Sequence, residues 1–154
     1  HNIKILMWGN GTKLDEMQKE LRKLGLENIK LKGYVDKKYI PSIAKRANLF
    51  IGTGNSCIVD KYGMSFNKLF DYLAGGKPII LPFKVKNSIV EANGAGWEIE
   101  NATGEKIAKE IIRVSQMSTE EYNKYCIQAK KTADKYDYAE LSFKVNEVIH
   151  RMEK

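Results

Sequence analysis

Cysteine, histidine and proline are scarce in this chain of 154 residues, with two, two and three copies. Cys57 and Cys126 stand far apart without metal-type spacing, so a disulfide framework or thiolate zinc site is not expected and both read as reduced structural thiols. His150 falls among apolar positions of a helix-period stretch, and no histidine, cysteine or acidic cluster has ligand spacing, so no metal site is expected. No apolar run approaches the ~18 residues that a membrane-spanning helix needs. The start of the sequence has no leader pattern, which makes a cytoplasmic location the expectation. Internal repeats and low-complexity tracts are missing too.

What is present fits one folded body. With 43% hydrophobic and 29% charged residues, the chain is long enough for one sizeable core and short for two. A single domain over residues 1–154 is expected, with residues 118–154 forming its C-terminal helices. The net charge is +7. Lysines are spread over every predicted helix and interleaved with glutamates, and no basic stripe carries stacking aromatics, so nucleic acid is not an expected partner. The same surplus would aid peripheral contact with anionic headgroups at the inner face of a membrane.

Apolar runs that suit buried parallel strands fall near residues 3–8, 28–32, 49–52, 78–81 and 96–99. Helix-period segments alternate with them. Leu14, Met17, Leu21 and Leu24 mark the first, with Gly25 as its stop signal, and Pro41 suits the first turn of a short one carrying Ile43, Ala44 and Ala47. A helix from Ser65 ends at Gly75 and Gly76; later ones carry Ile107, Ile111 and Ile112, a capping box of Ser118 with Glu121, and a stripe of Leu141, Val145, Val148, Ile149 and Met152. This alternation predicts an α/β fold: a Rossmann-like, doubly wound parallel sheet with helices on both faces. Trp8 and Trp97, at strand ends, read as core.

The most informative stretch is residues 66–82, FNKLFDYLAGGKPIILP, where a polar helix start runs into an apolar face, a Gly-Gly turn and a strand. Ser65, Phe66, Asn67, Lys68 and Asp71 cluster at that start. A helix N-terminus offers unpaired N–H groups and partial positive charge, so a lysine there is better explained by an anion between them; the alternative is a lysine whose stem packs while its head stays in water. Asp71, one turn on, can accept hydrogen bonds from sugar hydroxyls, or be an ordinary exposed helix aspartate. Elsewhere, Gly9 and Gly11 follow a strand, where glycine permits a tight turn and close backbone approach to a ligand, or merely an ordinary turn. Residues 53–64, TGNSCIVDKYGM, form a polar loop after the third strand, the place where open α/β sheets bind ligands. Gly54 and Asn55 could line the cleft there.

Residues 66–82 resemble the donor-binding segment of GT-B glycosyltransferases, family 4 especially, which reads as an acidic residue, a spacer, a glutamate and then A-M-A-x-G-K-P-V-I. Asp71 falls where that glutamate belongs. Residues 5–11, ILMWGNG, look like the family's strand and G-x-G turn, and residues 29–35, IKLKGYV, like its strand ending in G-x-V. The resemblance implies that Gly33, Val35 and Asp36 bracket the nucleobase, although Asp36 could instead cap the next helix. It implies that Lys68 contacts the diphosphate and Asp71 the ribose. The pair's first acidic residue would fall on Gly63, where this chain departs from the pattern; Asp60 lies nearby and could substitute. Glu91, in NSIVE at residues 87–91, matches a segment facing the donor sugar.

By this resemblance the chain would be the C-terminal, donor-binding domain of a two-domain glycosyltransferase, of hexosyltransferase type and retaining. Its donor would be a UDP- or GDP-type nucleotide-diphosphate sugar, its acceptor a polysaccharide, lipopolysaccharide or glycolipid, with no further cofactor. The family's first strand and helix are not found, nor is its N-terminal domain, so the fragment alone is expected to be inactive. A nucleotide-sugar epimerase of the same architecture, or a nonenzymatic nucleotide- or phosphate-binding regulatory domain, are the alternatives.

Overall fold

A computed structural model describes residues 3–54 and 67–152. The chain divides into two compact units, His1–Ile40 and Pro41–Lys154.

In the first unit, strand β1 (Ile5–Met7) is followed by helix α1 (Leu14–Lys23) and strand β2 (Ile29–Leu31). The strands pair in parallel, Ile5 opposite Ile29 and Met7 opposite Leu31. Helix α1 suits its own dipole, with Asp15 and Glu16 in the first turn and Arg22 and Lys23 in the last. Gly25 stops it as predicted. At φ +63° it lets its N–H reach Arg22 O at 3.1 Å while Leu26 N–H reaches Leu21 O at 3.1 Å, the paired bonds of a Schellman motif. Trp8 corrects the sequence expectation of a core residue, being 36% exposed. Strand alternation puts it on the side of Leu6, itself 44% exposed, and away from the half-buried Ile5 and Met7.

The second unit begins at Pro41 within helix α2 (Ile40–Arg46), where the proline takes the early position that needs no amide donor. Strands β3 (Phe50–Ile51), β4 (Ile79–Leu81) and β5 (Gly96–Glu98) form a parallel ladder with β4 at its centre. Helices α3 (Asn67–Gly75), α4 (Ile89–Ala92), α5 (Gly104–Gln116), α6 (Thr119–Lys135) and α7 (Tyr138–Met152) complete it. The β4 residues are fully buried, which is why this run reads as continuously apolar. Leu69 and Leu73 of α3, Ile79 and Leu81 of β4, Phe83, Val90, Ala95 and Ala129 of α6 form the core. Strands β4 and β5 approach so closely that a Cβ on Gly96 would overlap the carbonyl oxygen of Ile79.

All five predicted strands form, each shorter than its apolar run. Pro78 shows one cause: without an N–H it can only accept, taking a bond from Phe50 N at 3.0 Å, and the ladder begins one residue later. Ser118 caps α6 by accepting from Glu121 N at 3.1 Å. The Glu121 carboxylate lies 3.8 Å from Arg113, on the helix before. Arg113 in turn sits 4.1 Å over the ring of half-buried Trp97. Helix α7 forms where its apolar period predicts, yet none of its residues is buried. No helix among the described residues is long and apolar enough to cross a membrane.

Candidate functional site

In the second unit, the direction of α3 follows from its contacts. Gly75, at its C-terminal end, lies against the Phe50 ring, which a Cβ there would meet at 2.7 Å. Phe50 and Pro78 mark the amino ends of β3 and β4, so α3 runs antiparallel to the strands and its first turn rises toward their carboxyl ends. Its nine residues span about 13 Å. That is the rim where open parallel sheets take ligands.

Helical spacing then sorts the side chains. Leu69 and Leu73, one turn apart, are 2% and 0% exposed and fix the helix to β4. Asn67, Lys68 and Asp71 fall on the other side, the first two exposed and Asp71 half-buried. Helix N-terminus, ammonium and carboxylate therefore share one aspect of one anchored helix. Such an arrangement can hold a doubly charged anion and, beside it, a hydroxyl donor. Gly54, on the connection leaving β3, is bounded by Phe83, whose ring a Cβ at Gly54 would meet at 3.2 Å. Asn55, Asp60, Ser65 and Phe66 lie outside the described residues.

In the first unit, the turns after β1 and β2 are tied together, Gly9 N–H donating to Gly33 O at 2.8 Å. Gly33 has φ +70°, a conformation costly for any residue with a Cβ. A Cβ on Gly9, Gly11 or Gly33 would meet nothing within 4 Å, so these turns present bare backbone to open space. Val35 is half-buried and Asp36 exposed. Asp36 precedes the 3-10 turn Lys37–Tyr39, but its carboxylate makes no capping bond and faces Lys38 at 3.6 Å.

Two charged residues at the carboxyl end of the second unit's ladder escaped sequence reading. Glu98 closes β5 with its side chain only 1% exposed, and Lys84 lies 3.8 Å from its Oε2. Glu91, singled out in the sequence, holds the same lysine at 3.2 Å. The Glu91 carboxylate, which accepts its hydrogen bond, is the first cause holding the Lys84 ammonium above the ordinary lysine range. A glutamate inside a predicted apolar strand was the available signal, since buried carboxylates require partners. Among the described residues, no group of three or more histidine, cysteine or acidic side chains could hold a metal ion.

Comparison with known proteins adds the family. Two solved structures of HepE from Anabaena, one in complex with UDP and glucose and one with UDP-glucose, are similar to this chain. Their TM-scores are 0.74 and 0.75 at 17% identity, over 96% of this chain and 40% and 41% of theirs. A GtfA/B complex is similar at TM-score 0.70 and 16% identity, over 96% of this chain and 29% of that one. The chain thus spans well under half the length of these structures, and the likeness establishes a Rossmann-like fold with parallel strands and helices on both sides. No curated protein matches by sequence. The model of the family described as glycosyl transferases group 1 matches residues 1–133, and the chain belongs to that family.

Proposed function

We propose that residues 1–154 form the donor-binding half of a two-domain GT-B enzyme that transfers a sugar from a UDP- or GDP-type nucleotide sugar. The single observation that carries this reading is the first turn of α3, standing at the strands' carboxyl ends with Lys68 and Asp71 on its outward side. Family membership and the UDP and glucose named for HepE support it. Lys68 and the helix amides would take the diphosphate and Asp71 the ribose.

In the transfer, an acceptor hydroxyl attacks the anomeric carbon as the bond from that carbon to the diphosphate oxygen breaks. The hydroxyl proton passes to the departing diphosphate, which leaves with the electron pair of the broken bond. This half of the enzyme contributes by stabilising the departing charge and by fixing the donor's position. The product keeps the donor's anomeric configuration if the chemistry follows family 4, which in a single step requires the hydroxyl to approach from the face that the diphosphate leaves. The acceptor is a polysaccharide, lipopolysaccharide or glycolipid, met at the cytoplasmic face of a membrane. A second domain supplies the acceptor side, and the 154-residue chain alone binds donor without turning it over.

Calorimetric titration of UDP, GDP and ADP into the chain, with Lys68→Ala as control, tests the reading. Selective affinity for one nucleoside diphosphate, lost in the variant, is the expected result. Indifference to all three would overturn it and favour a nonenzymatic scaffold.

A further inference from the structure

Among the described residues, Glu98 is the most deeply buried carboxylate, and the site above has no use for it. Its side chain is 1% exposed, and it pairs in register with Leu81, 2% exposed, so it faces the apolar core beside β4. Taking a carboxylate out of water is unfavourable unless partners repay it. Here the repayment is partial: Oε2 accepts from Val85 N at 3.1 Å, while Oε1 has no hydrogen-bond partner among the described residues. Replacing a buried ion pair with apolar side chains of similar size is often neutral or stabilising.

What the acid holds is more telling than what it costs. Val85 and Lys84 belong to the connection between β4 and α4, and Lys84 also reaches both oxygens of Glu91 on α4, at 3.3 and 3.2 Å. One buried oxygen and one lysine thereby join the end of β5, the connection and α4. The residue before them is Phe83, 2% exposed, whose ring bounds Gly54. Gly54 lies on the connection from β3, at the same rim that the first turn of α3 faces.

We propose that Glu98 is a positioning residue for the donor, acting through Val85 and Lys84 to hold Phe83 against Gly54 and so to set the backbone that the nucleotide sugar meets. The donor role rests on the nucleotide-sugar reading above; the mechanical link from Glu98 to Gly54 does not.

The test uses the full chain in three forms: wild type, Glu98→Gln, which keeps an acceptor for Val85, and Glu98→Leu with Lys84→Met, which removes both charges. Amide exchange at Val85 and the amide chemical shift of Gly54, beside the Phe83 ring, are read without nucleotide, then UDP and GDP affinity, then thermal unfolding. The double variant should unfold no earlier than wild type, yet exchange faster at Val85, shift the Gly54 resonance and bind the preferred nucleotide about tenfold more weakly. Glu98→Gln should keep most of the Val85 protection and fall between the two in affinity. It also serves as the test if the double variant does not fold. An unmoved Gly54 resonance overturns the proposal, as does a moved one with unchanged affinity. A wild type that binds neither nucleotide overturns the donor reading instead, and the exchange and shift data then decide the mechanical link alone.

Discussion

Phe50 and Tyr72 stack almost parallel, ring centroids 4.7 Å apart and planes 7° from coplanar, joining the start of β3 to the middle of α3. Burial, and then the neighbouring Asp71, raise the Tyr72 hydroxyl above the ordinary tyrosine range, so it stays neutral at physiological pH. Stacked aromatic pairs contribute roughly 0.5–1.5 kcal/mol beyond the area they bury. Tyr72→Leu should therefore destabilise the chain by about 1 kcal/mol more than its lost area accounts for. A denaturant double-mutant cycle with Phe50→Leu isolates the coupling, and a coupling near zero would show the stack to be incidental.

Lys68 and Asp71 should separate by ligand. If the ammonium meets the diphosphate, Lys68→Ala weakens uridine or guanosine diphosphate binding by about 1.5–3 kcal/mol, the range for a hydrogen bond to a charged group, and leaves the bare nucleoside untouched. Asp71→Ala, removing a ribose acceptor, should weaken diphosphate and nucleoside alike. Isothermal titration of both ligands against both variants reads the difference, and equal losses everywhere would contradict these roles.

Leu73 is fully buried where α3 meets the core. Leu73→Ala should cost about 2–5 kcal/mol through lost burial and the cavity left behind. Chemical denaturation measures it. A loss below about 1 kcal/mol would mean that α3 is not anchored as described and that the site it carries is mobile.

Tyr122 gives the chain a signature at high pH. Its hydroxyl donates to Asn48 O at 2.9 Å, and burial first, with nearby Cys126 adding, pushes it from 10.0 up to about 12. The folded state thus keeps a proton that the unfolded chain gives up sooner. The resulting stability is fully present below pH 10.0 and is lost as pH rises through about 12. Stability measured across that window should fall more steeply for wild type than for Tyr122→Phe. Parallel curves would refute the assignment.

How far the sequence foretold this molecule depends on how local each cause is. The strands were legible because parallel strands buried on both faces read as apolar runs, and the stops at Gly25 and the cap at Ser118 rest on bonds within a few residues. Lys68 and Asp71 were legible because helical spacing alone puts them on one side. Strand ends were not, since the ladder starts only where a partner supplies the matching group, as at Pro78. Trp8 misled because a strand end can face either side, and a single run cannot tell which face is covered. Glu98 was passed over because its meaning lies in Lys84 and Val85, which only the parallel register brings beside it. The expectations at Asn55, Asp60, Ser65 and Phe66 lie outside the described residues.

Gly96 leaves the seam between two strands no spare width. One added methyl there would act as a wedge, prising β5 from its neighbour and dragging the terminal glutamate out of reach of the amide it grips. If Glu98 positions the donor as proposed, a lesion at Gly96 would present as a binding defect, and a screen confined to the proposed lining would overlook it.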